Sequence, residues 1–320
     1  MTSTRTSSWV GSELEASGGH LLTLDEHTVA ELAAQLPGDL VVPSESDVPP
    51  AVKDWSGHLL GPVAQDLTRR VTNGPGLVIL NGDGLAELSD HQLTALLYGL
   101  SVQMGHPMSQ NPVGERIVSV RDELSGDPDA RGYRTNKGLL MHTDAADVAG
   151  LLCLSQGSSG GGNLFASAEA VHTAITLERP DLLHEYYRLW DWDLRRLERP
   201  GSKPTLNSQI FSYFAGSLSC RYASLLLRNG AARAGYELSL GQLAALDTFE
   251  DVAKRPELVL RHTLARGESM WINNYQVLHA REAFEDGAES GEVRHLLRTW
   301  IWLNEGPELS PAFASPREVY

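Results

Sequence analysis

An imidazole and a carboxylate stand two residues apart in the apolar, strand-like stretch Met141–Asp144. On a β-strand, residues i and i+2 point to the same face, so the spacing predicts that His142 and Asp144 converge while Thr143 turns away. Two ligands do not complete a metal site, and the sequence offers a third in His279, within a second β-rich run far along the chain. We therefore predict that His142, Asp144 and His279 bind a metal and form the catalytic centre.

The types of these three ligands indicate which metal they suit. Two histidines and one carboxylate on one face of a metal, with the other positions open, form the facial triad of non-haem Fe(II) oxygenases. For His142 and Asp144 alone, an ordinary His-Asp pair on a surface strand would be the simpler interpretation. The motifs downstream of this pair favour the metal site.

Two cations near the end of the chain could anchor an anionic cosubstrate. Arg294 and Arg298 lie in a β-rich run that ends at Trp302. The planar guanidinium of arginine suits bidentate pairing with a carboxylate. Four residues apart on a strand, the two side chains share a face but are roughly 13 Å apart, so they cannot both hold one carboxylate.

Together these motifs resemble those of the Fe(II)/2-oxoglutarate dioxygenases of the taurine dioxygenase (TauD/TfdA) family, within the clavaminate synthase-like group. The resemblance covers roughly residues 76–302 and rests on the order and spacing of four features. They are the His-Thr-Asp motif at 142–144, the glycine turn at 160–165, His279, and the segment Arg294–Arg298. The resemblance implies an enzyme that uses Fe(II), 2-oxoglutarate and O2 to hydroxylate a C–H bond, with release of succinate and CO2.

The resemblance also implies roles for residues that would bind the cosubstrate. Alignment with the terminal arginine of the family favours Arg298 for the distal carboxylate of 2-oxoglutarate. Arg294 would then approach the iron-proximal end or pair with an acid. Asn163 falls where taurine dioxygenase has a threonine that binds the same carboxylate, and its amide could serve instead.

A segment between Met104 and Leu140 is repeatedly broken by glycine and proline, immediately before the predicted metal ligands. Such a segment is typical of a loop that covers a substrate, although an ordinary surface loop with solvated charges is an equal alternative. Two residues outside this segment are also candidates, because Asp147 follows the His-Thr-Asp motif and Arg281 shares a strand face with His279. The predicted substrate contacts are Arg121, Tyr133, Arg134, Asn136, Asp147 and Arg281. We expect an amino-acid-like substrate or a natural-product intermediate of biosynthesis.

Two rival functions remain open at this point. A non-catalytic jelly-roll protein could bind metal or a small ligand without turnover, and would show no oxygen consumption dependent on 2-oxoglutarate. A Zn-dependent hydrolase could use the same ligands to activate water. The hydrolase needs no arginine for a cosubstrate, so the presence of Arg298 counts against it.

The order of predicted elements favours an α+β fold. β-rich runs on both sides of a helical stretch, with ligands on two distant strands, suit an antiparallel jelly roll whose mouth holds the metal. The family resemblance implies the same double-stranded β-helix (jelly-roll) core, with flanking helices and a helical insert between the metal-ligand strands. We predict a flexible N-terminal tail at residues 1–20 and a single dioxygenase domain at residues 21–320.

Composition limits the partners of the protein. The formal net charge is −15, which argues against nucleic acid or an anionic membrane as a partner, because both need a clustered basic face. The chain begins with no apolar signal segment, and its two cysteines, Cys153 and Cys220, offer no disulfide framework. We therefore expect a cytoplasmic protein with buried thiols, acting on a small molecule, and a homo-oligomer is possible.

Overall fold

The computed structural model describes residues 7–43, 48–111, 113–123, 132–194, 203–288 and 292–313. The helices in these ranges are α1 (Gly11–Ser17), α2 (Glu26–Gln35), α3 (Pro50–Asn73), α4 (Asp90–Met104), α5 (Ala168–Glu178), α6 (Leu183–Tyr187), α7 (Ser224–Ala234) and α8 (Leu240–Ala253). Short 3-10 turns occupy Leu85–Glu87, Gly132–Arg134 and Pro180–Leu182. Within these ranges, no helix combines the length and apolar character needed to cross a membrane.

The strands in the same ranges are β1 (Leu21–Thr23), β2 (Leu77–Asn81), β3 (Gly105–Pro107), β4 (Ile117–Val120), β5 (Leu139–His142), β6 (Val148–Ser155), β7 (Ser159–Gly160), β8 (Asn163–Ser167), β9 (Trp190–Asp193), β10 (Thr205–Ser208), β11 (Phe211–Phe214), β12 (Ser217–Cys220), β13 (Val259–His262), β14 (Ser269–Asn273), β15 (Val277–Arg281), β16 (Phe284–Glu285) and β17 (His295–Leu303).

Two sheets form the centre of the fold. The larger sheet has the strand order β1-β2-β14-β6-β17-β3, with β4 also paired to β17, and the smaller has the order β13-β8-β15-β5. Except for β1 and β2, which run parallel, neighbouring strands in these sheets are antiparallel. The α+β class is therefore correct, and α5 to α8 form the predicted helical insert between the strands that carry His142 and His279.

Three apolar layers hold the sheets and helices together. One layer lies between the two sheets and combines residues such as Leu151 and Ile272 of the larger sheet with Phe165 and Val277 of the smaller. A second packs α2, α3 and α4 on the outer face of the larger sheet. A third packs α5, α7 and α8 on the outer face of the smaller sheet. Both sheets are thus covered on both faces, which explains why β6 is a nearly continuous apolar run.

Local capping signals fix where several helices begin. A serine followed three residues later by glutamine predicts capping boxes at Ser89 and Ser239, and both are confirmed: each serine accepts from the backbone N–H three residues on, and the glutamine at that position accepts from the backbone N–H of the serine. The pattern Thr23–Glu26 predicts a third box, and this prediction is wrong. Asp25 caps α2 instead, because its carboxylate accepts from the N–H of Thr28.

The segment predicted as a flexible tail contains structure from Ser7 onward, whereas residues 1–6 lie outside the described ranges. Trp9 and Leu14 are buried, and the indole N–H of Trp9 donates to the carbonyl of Pro75. Helix α1 packs against β13, where Gly11 leaves no room for a Cβ beside the Val259 carbonyl. These apolar contacts could not be predicted, because the beginning of the chain is rich in serine and threonine. The division of the chain at residue 20 stays a prediction.

Gly230 offers a direct test of the packing of α7, which runs against β9. A Cβ at Gly230 would stand 1.9 Å from the backbone oxygen of Asp191. We expect Gly230→Ala to lower the free energy of unfolding by about 1–3 kcal/mol, because helix and strand must separate. Urea denaturation measures this change. Gly61→Ala is the control, since nothing lies within 4 Å of its new methyl group and α3 should gain up to about 1 kcal/mol.

Candidate metal centre and adjoining cavity

The three predicted metal ligands lie together at one end of the smaller sheet. His142 and His279 are directly paired across β5 and β15, and their ring centroids are 4.2 Å apart. Nε2 of His142 is 3.8 Å from Oδ1 of Asp144, and Nε2 of His279 is 3.5 Å from Oδ2. One ligand atom from each residue lies within 4.8 Å of the others. This arrangement could hold one metal ion and leave its remaining positions open.

The sequence correctly predicts that these side chains converge, but the local geometry differs from a continuous strand. Strand β5 ends at His142, so Asp144 lies beyond it. The backbone N–H of Thr143 donates to Tyr222, whose own N–H donates to the Thr143 hydroxyl. The N–H of Asp144 donates to the side-chain oxygen of Asn274. These bonds draw the chain away from the sheet while keeping Asp144 beside the imidazoles.

Hydrogen bonds also orient the ligand side chains. Nδ1 of His142 is 2.8 Å from the carbonyl oxygen of Leu140. Because a carbonyl only accepts, Nδ1 carries the hydrogen and Nε2 keeps its lone pair facing the cluster. The indole N–H of Trp300 donates to Oδ2 of Asp144 at 2.9 Å. These two bonds leave Nε2 of His142 and the carboxylate of Asp144 available to a metal, whereas Nδ1 of His279 has no partner among the described residues.

The charge states of the cluster suit a cation. Burial, followed by the charge of neighbouring His279, lowers the pKa of His142 to about 4. Burial alone would raise the pKa of Asp144, but the hydrogen bond from His279 and the charges of His279 and Arg298 outweigh it and lower that pKa. At neutral pH a neutral imidazole therefore stands beside a carboxylate, and these are the forms that bind metals.

The structure places the two candidate arginines very differently. Arg298 lies near the cluster, with its guanidinium carbon 4.7 Å from the ring centroid of Tyr133 and 4.6 Å from that of Trp300, and its Nε donates to Gln110. Arg294 is fully buried, and Nε, Nη1 and Nη2 have no hydrogen-bond partner among the described residues. A buried guanidinium with three orphaned nitrogens is costly unless an anion meets it.

The glycine turn brings backbone close to Arg294. A Cβ at Gly161 would lie 2.8 Å from Nε of Arg294, and Gly161 has a φ of +73° that suits glycine. Asn163 follows as a buried residue at the start of β8, opposite Arg281 of β15. Its amide nitrogen donates one hydrogen to the carbonyl of His262, which leaves the second hydrogen for a ligand.

A cavity of about 400 Å³ opens beside the cluster and includes His142, Asp144, Arg298 and Trp300 in its walls. The size is typical of a small-molecule site. The cavity is otherwise lined mainly by apolar side chains and glycine, including Leu140, Trp192, Leu194, Leu225 and Leu226. Leu140 and Leu225 are largely exposed.

One of the predicted substrate contacts, Tyr133, lines this cavity. Arg121 and Arg134 instead pair with Glu123. Asn136 contributes its backbone carbonyl to the N–H of Phe284.

The other two predicted substrate contacts are held inside the protein. Asp147 accepts from the Tyr275 hydroxyl and the N–H of Leu303, and it lines a different cavity. Arg281 is buried, and its Nη2 donates to backbone carbonyls of residues 132–137. For both residues the structure therefore shows internal contacts rather than a place in the cavity wall.

Several residues of the site give no signal in the sequence. Gln110 holds Arg298 from a loop far away in the chain, and its own amide donates to the carbonyls of Arg116 and Arg298. The first turn of α7 supplies a wall of the cavity, although its sequence suggests only an ordinary helix. Trp300 lies in a β-rich run whose sequence predicts only a core side chain, and it is buried as well as bonded to Asp144.

Comparison with known proteins shows clear relatives. Residues 49–300 match the model of the family described as taurine catabolism dioxygenase TauD, TfdA family. The FR-33289 synthase of Streptomyces rubellomurinus is 34% identical over 266 residues, which cover 80% of this chain and 78% of that protein. A taurine hydroxylase-like protein of Stachybotrys chartarum is 27% identical over 311 residues, with 91% and 77% covered.

Solved structures share the fold at low sequence identity. Asparagine oxygenase, in complex with Fe(II), 3-hydroxyasparagine and succinate, superimposes with a TM-score of 0.68 at 17% identity, covering 88% of this chain and 93% of that one. The non-haem iron oxygenase OrfP, in complex with Fe and α-ketoglutaric acid, gives 0.64 at 13% identity, covering 88% and 94%.

Proposed function

The chain belongs to the taurine catabolism dioxygenase TauD/TfdA family, and we propose that His142, Asp144 and His279 hold an iron ion. The protein is an oxygenase that uses Fe(II), 2-oxoglutarate and O2. The observation that carries this assignment is the convergence of one ligand atom from each of these side chains within 4.8 Å. The same arrangement leaves one side of the cluster open to the cavity. Family membership favours this function over the non-catalytic binding protein and the Zn-dependent hydrolase.

Iron and 2-oxoglutarate bound here would supply the oxidising chemistry: O2 would take two electrons from decarboxylation of 2-oxoglutarate and two from the substrate C–H bond, so that one oxygen atom ends in the hydroxylated product and the other in succinate, with release of CO2. The protein contributes the geometry of this reaction. His142 and His279 bind as neutral imidazoles, Asp144 binds as a carboxylate, and Trp300 fixes the orientation of Asp144 through its indole N–H. The apolar walls of the cavity exclude water from the place where the C–H bond lies.

We propose that Arg294 binds the distal carboxylate of 2-oxoglutarate, assisted by the free amide hydrogen of Asn163. The support is the full burial of Arg294 with three guanidinium nitrogens that have no partner among the described residues. Arg298, whose charge lowers the pKa of Asp144, then faces the iron-proximal carboxylate. This assignment reverses the preference for Arg298 that the sequence suggested.

The substrate is a small molecule that presents an apolar segment to the iron, because leucine and tryptophan side chains form much of the described cavity wall. An amino-acid-like compound or a natural-product intermediate fits a volume of about 400 Å³. The complex of asparagine oxygenase with a hydroxylated amino acid supports the first of these, and the relation to a synthase supports the second.

We also propose a fold, a class of partner and a cellular compartment for the protein. The two sheets are the halves of a double-stranded β-helix, which agrees with the apolar layer they share. The net charge of −15 favours a small-molecule partner over nucleic acid. The buried thiols of Cys153 and Cys220 suit a reducing cytoplasm.

Formation of succinate tests the proposed function without knowledge of the substrate. Purified protein with Fe(II), 2-oxoglutarate and air should release succinate and CO2 in equal amounts, at a low rate before any substrate is added. Candidate substrates with an apolar segment should accelerate that release. Succinate formation that needs no iron, or none at all with every added metal and substrate, would contradict the proposal.

Trp300→Phe isolates the hydrogen bond to Asp144, because phenylalanine keeps an aromatic ring but loses the indole N–H. We expect the affinity for Fe(II) to fall about 10-fold, as is typical when a partner of a metal ligand is removed. Anaerobic competition with a chromogenic chelator measures the affinity. Trp271→Phe, which loses an indole N–H that donates to the Ser269 hydroxyl, should bind iron as the wild type does. Equal affinities in the two variants would show that Trp300 does not orient the site.

A further inference from the structure

Arg281 connects the metal-bearing strand to the wall of the cavity. It follows His279 by two residues on β15, so both side chains lie on the same face of the strand. We call Gly132–Gly138 the cover segment, because Gly132, Tyr133 and Gly138 line the cavity. Nη2 of Arg281 lies 2.7 Å from the carbonyl oxygen of Thr135, with the carbonyls of Gly132 and Lys137 also in reach. One guanidinium nitrogen therefore lies within hydrogen-bonding distance of three backbone carbonyls of the cover segment.

Of the three nitrogens of this guanidinium group, Nη2 has hydrogen-bond partners and the other two have none among the described residues. Nε and Nη1 of Arg281 are buried and have no hydrogen-bond partner among the described residues. The adjacent acid, Glu282, is not available, because both of its oxygens accept from Arg261. The donors that face away from the cover segment are therefore ready for an acceptor.

Arg281 and the fully buried Arg294 pack against the same aromatic side chain. Both guanidinium carbons are 5.0 Å from the centre of the same ring, that of Phe284. Asp122 and Asp286 supply opposite charge, but neither donates or accepts a described hydrogen bond with these guanidinium groups. Two neighbouring buried cations repel each other, and a shared anion would remove that cost.

We propose that Arg281 is a positioning residue that shares the distal carboxylate of 2-oxoglutarate with Arg294 and thereby fixes the cover segment over the substrate cavity. This inference rests on the proposed function. With 2-oxoglutarate bound, the carboxylate satisfies Nε and Nη1, and Nη2 holds the carbonyls of the cover segment. Without it, repulsion from Arg294 favours withdrawal of Arg281 and loosens the segment.

The arrangement couples two binding events. The cosubstrate orders a wall of the cavity before the substrate arrives, so substrate affinity rises when 2-oxoglutarate is present. The coupling free energy is reciprocal, and a substrate that orders the cover segment must therefore also tighten binding of 2-oxoglutarate. The N–H of Phe284 strengthens the link, since it donates to the carbonyl of Asn136 in the cover segment.

Two measurements on the anaerobic Fe(II)-loaded protein test this inference. The first is amide hydrogen exchange in peptides that span the cover segment, with and without 2-oxoglutarate. In the wild type we expect 2-oxoglutarate to slow this exchange about 5-fold or more. The second is the Kd of 2-oxoglutarate by calorimetry in Arg281→Gln, which should be about 10- to 100-fold higher because charge-assisted hydrogen bonds are lost. Exchange in this variant should no longer respond to 2-oxoglutarate.

Two further variants separate charge from geometry. Arg281→Lys keeps the charge without the planar fork, so its Kd should lie between those of the wild type and Arg281→Gln. Arg179→Gln removes a surface arginine just beyond α5, paired with Asp181, and should leave both the Kd and the exchange response unchanged. This variant is the matched control.

Wild-type exchange that does not respond to 2-oxoglutarate overturns the inference, and so does an Arg281→Gln protein with the Kd of the wild type. If Arg281→Gln fails to fold, the wild-type exchange comparison and Arg281→Lys still decide. Failure of the proposed function looks different, because the wild-type protein would then not bind 2-oxoglutarate at all. Binding that is lost in Arg294→Gln but intact in Arg281→Gln removes only the role of Arg281.

Discussion

Replacement of Asp144 by alanine should lower succinate formation by about 10³-fold or more, the largest effect that we expect from a single substitution. The carboxylate is the one anionic ligand of the cluster, and its loss leaves two neutral imidazoles to hold a divalent ion. A bound metal contributes several kcal/mol to the stabilisation of charge in the reaction, which corresponds to this factor in rate. Parallel measurement of the Fe(II) affinity should show weaker binding, since the charge of the site is lost.

Asp147→Ala is the matched control, because it removes a second buried carboxylate from the same part of the chain. Asp147 bonds the Tyr275 hydroxyl and the N–H of Leu303 rather than the cluster. We expect this variant to unfold at a lower denaturant concentration and to keep the wild-type affinity for Fe(II). Wild-type turnover in Asp144→Ala would remove Asp144 from the metal site.

Arg294→Gln should raise the KM for 2-oxoglutarate about 100-fold while the affinity for Fe(II) stays unchanged. Glutamine retains a polar group but loses the positive charge and the planar fork that pairs with a carboxylate. A buried cation paired with a ligand anion contributes about 2–5 kcal/mol when one partner is truncated, and about 2.7 kcal/mol corresponds to 100-fold. Succinate formation at increasing 2-oxoglutarate concentrations measures the change.

The control for this prediction is Arg221→Gln, which removes another buried arginine far from the cosubstrate. The Arg221 guanidinium packs against the rings of Trp192 and Phe313, so its loss should reduce stability and leave the KM for 2-oxoglutarate unchanged. If Arg294→Gln has the wild-type KM and Arg298→Gln does not, the distal carboxylate belongs to Arg298.

The convergence of the metal ligands could be predicted because it depends on local rules. The spacing of His142 and Asp144 indicates a shared direction at any strand end, and His279 supplies a third ligand of the right type. The capping boxes at Ser89 and Ser239 are predictable for the same reason, since each involves residues only three apart. Strand β2 is likewise predictable, as an apolar run between Gly76 and Gly82.

The distinction between Arg294 and Arg298 could not be predicted, because it depends on burial and on long-range contacts. Alignment with the family favours Arg298, and only the fold shows that Arg294 is fully buried and that Gln110, from a distant loop, binds Arg298. The first turn of α7 enters the cavity wall for a similar reason, through packing of the helix against β9. Periodicity shows which face of a helix is apolar, but not which other element that face meets.

The contacts of Arg281 show that the direction of a side chain is easier to predict than its partners. Its place two residues after His279 predicts a side chain on the same face of β15. The sequence predicts a substrate contact, whereas the structure shows bonds to backbone carbonyls and pairs the adjacent acid, Glu282, with Arg261. The carbonyl oxygens that accept from Arg281 belong to a segment more than 140 residues earlier. Every residue has a backbone carbonyl, so the sequence does not indicate which of them accept.

Anaerobic absorption spectroscopy tests the central claim most directly. Fe(II) is added to the metal-free protein, followed by 2-oxoglutarate, and wild type is compared with His142→Ala. We predict a visible metal-to-ligand charge-transfer band in the wild type only after 2-oxoglutarate is added, and no such band in His142→Ala. A wild-type protein that binds iron and 2-oxoglutarate without this band, or a variant that keeps the band at full intensity, would contradict the assignment of the site.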